Sequence, residues 1–282
     1  MSHTKVRRAE AAGSRRRIVH TLGGCGGTLL SRCLGVLPAV ALVSEINPSS
    51  VKLFPQFDPL YQDRNWLHLL EPADLEKFSK LDLGNLDVFG DWMRVLHDRA
   101  AKLKKRLILR DYNYVDFIGV PYTDSPPRKR IIYSVLPEGT PVSAVAFIRH
   151  PVDQWLSLCK HEQVRKLLSP GLFLRGYAAF MEDLGDTPVF RYEDFIGDPG
   201  AELRRMCRSL DLEFDPSFEQ RFHGYDHVTG DFSRQHERTI SPPAKKAISA
   251  ALLEEFCSDR HFRPVLRLTG YADDDAERLN VN

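Results

Sequence analysis

The residues able to do chemistry in this sequence gather where strands end. The first group is Thr21-Leu-Gly-Gly-Cys-Gly-Gly-Thr-Leu-Leu-Ser31, in which Gly23, Gly24, Gly26 and Gly27 surround Cys25 and lead into Thr28 and Leu29. Glycine lets the chain turn sharply and approach an anion closely. The free N–H groups of a helix that begins there, aided by its dipole, hold phosphate oxygens. Thr28 and Ser31 add hydroxyl donors. Taken alone, the stretch also reads as a strand-to-helix turn that needs positive φ; its place between a first strand and a first helix favours the anion cradle. It is not a G-x-x-x-x-G-K-[ST] loop, since Gly27 stands where that pattern has lysine, and G-x-G-x-x-G does not fit these glycines in register. An ordinary ATPase and a dinucleotide-dependent dehydrogenase are therefore disfavoured.

The second group is Arg149-His-Pro-Val-Asp-Gln-Trp-Leu-Ser157, at the end of the apolar run Val142–Ile148. The carboxyl end of a central parallel strand is where α/β sheets bind ligands. Pro151 suits the start of a helix and Asp153 its first turn, and Ser157 falls about two turns along. The planar fork of Arg149 and the hydroxyl of Ser157 suit a phosphate; an ion-paired arginine and an ordinary helix serine are the plainer alternative. Two carboxylates also stand near strand ends: Glu45, after the run Val40–Val43, and Asp111, within Arg110-Asp-Tyr112. Arg110 reads as an ion-pair or anion contact, and a loop carboxylate paired with a nearby arginine is one reading of Glu45. His161-Glu162 reads as helix surface. With no Cys-x-x-Cys and no His-Glu-x-x-His, no metal site is expected.

In this order the two anion motifs resemble those of the sulfotransferases that use 3′-phosphoadenosine 5′-phosphosulfate (PAPS). Thr21–Leu30 is similar to the family's 5′-phosphosulfate loop, and Phe147–Ser157 to its 3′-phosphate motif. Phe190-Arg-Tyr-Glu-Asp-Phe-Ile-Gly-Asp-Pro199, followed by Leu203–Phe214, resembles the family's Tyr-Glu-Asp…Asp-Pro…helix segment. The resemblance implies that Gly23, Gly24, Cys25, Gly26, Gly27, Thr28 and Leu29 hold the 5′ end of PAPS, and that Arg149 and Ser157 hold its 3′-phosphate. It implies in-line attack on sulfur by an acceptor hydroxyl or amine, on a small molecule, glycan or peptide. A base takes the proton, positive groups meet the charge on the leaving phosphate, and no metal is required. A late basic loop in the family closes over the nucleotide; here Arg238, Arg234, Lys245 and Lys246 are available. The departures are specific. Gly24 stands where the family usually has lysine or arginine, and Cys25 where it has serine. The histidine that serves as base in one branch is absent from Arg110-Asp-Tyr112, whereas Ser44-Glu45 matches branches with a glutamate after the second strand. The resemblance thus makes Glu45 the candidate base, with Asp111 in reserve, and pairing with an arginine accounts for Glu45 equally well. Two alternatives remain: a catalytically lapsed nucleotide-binding protein of the same fold, and a kinase-like phosphotransferase using Mg²⁺ and ATP.

These groups need strands to present them. Arg17–Leu22, Val40–Val43, Arg106–Arg110, Val142–Ile148 and Pro188–Arg191 read as strands. They alternate with helical patterns at Gly27–Gly35, Val88–Leu103, Val152–Leu168, Leu172–Leu184, Gly200–Leu210 and Pro243–Phe256. The expected fold is α/β, a three-layer parallel sheet with helices on both faces. Residues 17–282 form one such domain in this reading, after a disordered basic tail over 1–16 that also suits a transit peptide or a tether to an anionic surface. Insertions near 47–86 and 112–139 interrupt the rhythm, and their aromatics (Phe54, Phe57, Tyr61, Trp66, Tyr112, Tyr114, Phe117) suit an apolar or ring-bearing acceptor or local cores. The net charge of +1 gives no sign of a nucleic-acid partner. Leu34–Val43, the longest apolar stretch, is too short to span a bilayer. Five scattered cysteines indicate reduced thiols in a cytoplasmic setting.

Overall fold

Strands covered by helices on both faces are apolar throughout, and the aliphatic runs of this chain fit that rule. A computed structural model describes residues 15–231, 237–243, 247–271 and 280–281. The chain runs through β1 (Arg16–Thr21), α1 (Gly27–Gly35), β2 (Val40–Ile46), α2 (Leu86–Lys102), β3 (Arg106–Tyr112) and β4 (Val142–Ile148). It continues through α3 (Pro151–Leu158), α4 (Glu162–Leu167), α5 (Pro170–Leu184), β5 (Val189–Arg191), α6 (Pro199–Leu210), α7 (Ala250–Ser258) and α8 (Phe262–Thr269). The strands pair in parallel in the order β2-β3-β1-β4-β5, so the sheet is the expected α/β one and β1 lies at its centre. Leu30 and Leu34 of α1 and Leu203 and Met206 of α6 pack on Val19, Ile108 and Phe147. On the opposite face Phe89, Trp92 and Leu96 of α2 pack on Ile18, Val43, Leu107 and Leu109.

This alternation decides which side each strand-end residue faces. Ile108 faces α1, so Arg110 does too. Leu109 faces α2, and Asp111 shares its side. The register pairs Val19 with Arg110 and His20 with Asp111.

Several expected boundaries move. The segment 1–16 lies largely outside the described residues, and Arg16 already belongs to β1. α2 begins at Leu86 because the Asn85 side chain caps it, accepting from Asp87 N at 2.9 Å. The single helix expected over Val152–Leu168 is two, α3 and α4, separated at 159–161. Trp155 Nε1 donates to Leu168 O at 3.0 Å, which ties the second helix back onto the first. The helix expected over Pro243–Phe256 instead starts at Ala250, capped by Ser249; Ala247–Ile248 pairs with Asn280–Val281 as a short parallel ladder. The first insertion holds short helices at Pro59–Gln62 and Pro72–Ser79, and the second holds a helical turn at Tyr114–Phe117. Among the described residues no helix is long and apolar enough to cross a membrane.

Candidate active site

The glycine loop turns through left-handed backbone at Gly24 (φ 79) and Gly26 (φ 91), the latter being the N-cap of α1. A glycine cap has no side chain to satisfy the first N–H groups of the helix, and such a helix start suits an external anion. The loop is also pressed against its neighbours. Gln154 Nε2 donates to Gly23 O at 2.9 Å, and a Cβ at Gly24 would lie 2.9 Å from the Gln154 carbonyl oxygen. A Cβ at Gly26 would overlap the ring of Tyr192. Cys25 is buried, and burial pushes its thiol up to about 11 against the pull of the Arg110 charge. It is an inert small group, not a nucleophile.

The second anion motif leans on the first. Ser157 Cβ lies 3.3 Å from the Cβ position of Gly24, so α3 and the loop share one wall. Arg149 is 9% exposed, and its guanidinium sits 4.8 Å from the centre of the Tyr192 ring. Its Nε has no hydrogen-bond partner among the described residues. Its contact with Asp153 is long, at 3.9 Å. The Tyr192-Glu193-Asp194 segment acts as a brace. Glu193 Oε1 accepts from His150 N at 3.1 Å, Tyr271 donates to Glu193 Oε2, and burial raises the Glu193 carboxyl above its ordinary range.

The third wall is built from β2, β3 and a late strap. Strict alternation would turn Glu45 toward α2 with Val43. Instead the register slips between Val43 and Ile46, and Glu45 takes left-handed backbone (φ 49). The bulge swings Glu45 to the α1 face, where it pairs with Arg110. Thr229 donates its hydroxyl to Glu45 Oε2 at 2.5 Å and lies 3.0 Å from Ser44 Oγ, and Thr28 donates to Thr229 O at 3.1 Å. At Gly230 (φ 107) a Cβ would collide with Thr28 Oγ1, so only glycine lets the strap cross there.

No protein-family model matches the sequence, and no curated protein matches it. Solved structures do. The sulfotransferase domain from the Synechococcus PCC 7002 olefin synthase superposes with a TM-score of 0.59 at 18% identity, over 92% of this chain and 95% of that one. The sulfotransferase domain from the curacin biosynthetic pathway superposes at 0.54 with 13% identity, over 91% and 98%. The chain has the sulfotransferase fold. A crystal structure of retinol dehydratase in complex with androsterone and inactive cofactor PAP is a looser match, at 0.37 with 11% identity over 96% and 82%, and is too distant to bear on function.

Within this sulfotransferase fold one cavity of about 590 Å³ is lined by Gly23 to Leu29, Glu45, Arg149 and Ser157. The sequence-derived loop and anchor residues are thus brought together. Asp111, the reserve base, is corrected: it points to the other face. There it is fully buried among Asn113 (Nδ2 donating at 2.7 Å), Asn47 (3.3 Å) and His20 (3.2 Å), with Asp116 behind Asn47 and Asn113. Burial first and the Asp111 charge second push Asp116 up to about 8. Arg238 is exposed, and its neighbours Glu237 and Thr239 line the cavity in its stead. Arg234, Lys245 and Lys246 lie outside the described residues.

Both insertions furnish the far half of the cavity. Phe57 and Tyr112 (ring centres 5.1 Å apart), Phe54 and Tyr122 (5.9 Å), and Tyr114 beside Tyr122 (6.2 Å) form a continuous aromatic wall. Phe117 belongs to the core, and Tyr61 pairs with Trp66 outside the cavity. Sequence reasoning missed Tyr122, Lys160, His161 and Thr229-Gly230. Lys160 and His161 reach the wall only because α3 ends before them, whereas the glycine of Thr229-Gly230-Asp231 was the one visible sign of a tight crossing.

Proposed function

We propose that this chain is a sulfotransferase that moves a sulfuryl group from PAPS to a hydroxyl or amine on an apolar, ring-bearing acceptor. The observation that carries this reading is the contact between the two anion motifs. The glycine loop and Arg149–Ser157 open side by side onto one cavity, spaced as one wall. The fit to such a donor is supported by the uncapped start of α1 and by the buried Nε of Arg149, unpartnered among the described residues; both want an anion. The aromatic wall supports an acceptor with rings or long apolar groups.

In the proposed reaction the acceptor oxygen or nitrogen forms a bond to sulfur as the bond from sulfur to the 5′-phosphate oxygen breaks. The products are the sulfated acceptor and 3′,5′-adenosine bisphosphate, and the acceptor's proton passes to a base on the wall. Glu45 and His161 both line the cavity. Glu45 already spends Oε1 on Arg110 and Oε2 on Thr229, so it serves as base through Oε2, by releasing the Thr229 hydroxyl. His161 is exposed on the wall.

Calorimetry with 3′,5′-adenosine bisphosphate in EDTA tests the donor class. Micromolar binding that R149A weakens is expected, followed by transfer of labelled sulfuryl from PAPS to members of a phenol and alcohol panel. Binding of ATP with Mg²⁺ in preference to the bisphosphate would overturn the reading. Bisphosphate binding with no transfer to any acceptor, and no slow donor hydrolysis, would leave a nucleotide-binding protein in place of an enzyme.

A further inference from the structure

A transfer of this kind leaves charge on the 5′-phosphate, and the loop carries no cation to meet it. Gly24 cannot be given one. Its φ of 79 and the 2.9 Å approach of the Gln154 carbonyl oxygen leave no room for a side chain.

We propose that Arg110, from β3, supplies the positive charge for the 5′ leaving group, and that Ser31 and Glu45 hold its guanidinium for that contact. This rests on the sulfuryl-transfer reading.

Arg110 is 2% exposed, and its donors are unevenly occupied. Nη1 donates to Ser31 Oγ at 2.9 Å, and Nη2 pairs with Glu45. Nε has no hydrogen-bond partner among the described residues. Two corners of the planar fork are therefore fixed, and the third is open. That corner lies against the loop: the Cβ position of Gly27, the first residue of α1, is 3.6 Å from Nε and 3.5 Å from Cζ. A buried N–H of a cation left without an acceptor is costly, so its persistence at an anion cradle marks a place made for an acceptor. The guanidinium's field already reaches the loop, since it draws down the Cys25 thiol that burial raises. The strap closes the other side, with the Cβ position of Gly230 3.6 Å from Nη2. Shielded there from water, the charge acts more strongly on a phosphate than it would at the surface.

Three other cations line the cavity. Arg149 belongs to the second anion motif, Arg32 donates to the Tyr225 and His223 carbonyl oxygens at 3.0 and 2.6 Å, and Lys160 is the remaining rival. Its side chain is 50% exposed and its Nζ lies 3.5 Å from Asp231, an arrangement that solvent and salt screen. The placement of Arg110 is also what β-strand alternation dictates. Glu45 reaches it only through the bulge in β2, and the strained backbone there serves to aim the guanidinium. During transfer the sulfur–oxygen bond to the phosphate breaks, its electron pair stays on the leaving oxygen, and the Nε–H of Arg110 donates to the phosphate that carries the new charge.

The test compares two ligands that differ only at the 5′ end, 3′,5′-adenosine bisphosphate and adenosine 3′-monophosphate, by calorimetry in EDTA. Wild-type protein should prefer the bisphosphate. The double variant Arg110→Gln/Glu45→Gln, which leaves no unpaired charge behind, should lose roughly 10- to 100-fold of that preference while still binding the monophosphate. Arg110→Lys keeps the charge but not the three-cornered fork, and should lose about three- to tenfold. Lys160→Met should keep the preference. If the double variant does not refold, Arg110→Lys decides alone. An undiminished preference in either Arg110 variant, or its loss in Lys160→Met, overturns the assignment. A wild-type protein that binds neither ligand overturns the sulfuryl-donor reading instead, and the two failures are distinct.

Discussion

Glu45 and Arg110 form a salt bridge across neighbouring strands, on the face of the sheet that carries the glycine loop. They meet because Glu45 adopts left-handed backbone (φ 49) at a register slip. A non-glycine residue held there costs about 1–3 kcal/mol, which the surroundings must offset. The ion pair, the Thr229 hydroxyl and the packing of the strap do so. Removing one partner of a nearly buried pair strands the other charge. Glu45→Ala is therefore expected to lower unfolding free energy by about 3–5 kcal/mol, and Glu45→Gln, which loses the charge but keeps one acceptor oxygen for Arg110, by a smaller amount, about 1–3 kcal/mol. Urea unfolding at neutral pH measures both. Equal, near-zero effects would mean that the pair is solvated.

Restoring a lysine at Gly24 is the obvious repair if the loop is compared with the motif it resembles. The structure argues the opposite. With φ at 79 and the Gln154 carbonyl oxygen 2.9 Å from the new Cβ, Gly24→Lys strains the backbone and pushes α3 away from the loop. A loss of about 1–3 kcal/mol in stability is expected, together with weaker binding of 3′,5′-adenosine bisphosphate. A thermal melt and a titration check it, and tighter binding would contradict it.

Arg149 and Ser157 should contribute unequally. Arg149 is a nearly buried cation with an open donor, whereas Ser157 offers a single neutral hydroxyl. Arg149→Ala is expected to weaken binding of 3′,5′-adenosine bisphosphate roughly 10- to 100-fold and Ser157→Ala roughly 2- to 10-fold. Adenosine 5′-monophosphate, which lacks the 3′ group, should be nearly indifferent to Arg149→Ala. A loss as large for that ligand would move Arg149 away from the 3′ end.

What could be read from the sequence was local. The glycine loop and Arg149–Ser157 each combine a strand end and a helix start within about a dozen residues, so their types and spacing carry the signal. Period-two alternation was also available. It places Arg110 and Asp111 on opposite faces, so the two could not both serve the loop, and Arg110 was the better candidate. Glu45 broke the same rule, because the bulge that redirects it is held by Thr229, far along the chain. The split between α3 and α4 was hidden for a related reason. No glycine or proline marks 159–161, and the turn is held by the long-range packing of Trp155 on Phe256 and its bond to Leu168. Tertiary contacts, not local propensity, set those features.

The cluster behind the sheet offers a test independent of any ligand. Asp116 shares Asn47 and Asn113 as donors with Asp111, and His20 and Tyr133 close the same group. Burial, and then the Asp111 charge, raise Asp116 to about 8 from the ordinary 3.8 of an aspartate. Between those values the folded chain keeps a proton that the unfolded chain has released. Stability from this group is therefore full below about 4 and falls as pH rises through about 8. Asp116→Asn is neutral at every pH and still accepts from Asn47 and Asn113. It should remove most of that slope and make the protein more stable than wild type at pH 8.5 by about 1–3 kcal/mol, with little difference at pH 4.5. Urea midpoints of both proteins at the two pH values decide the point, and parallel slopes would show that Asp116 is ionised in the fold across the range.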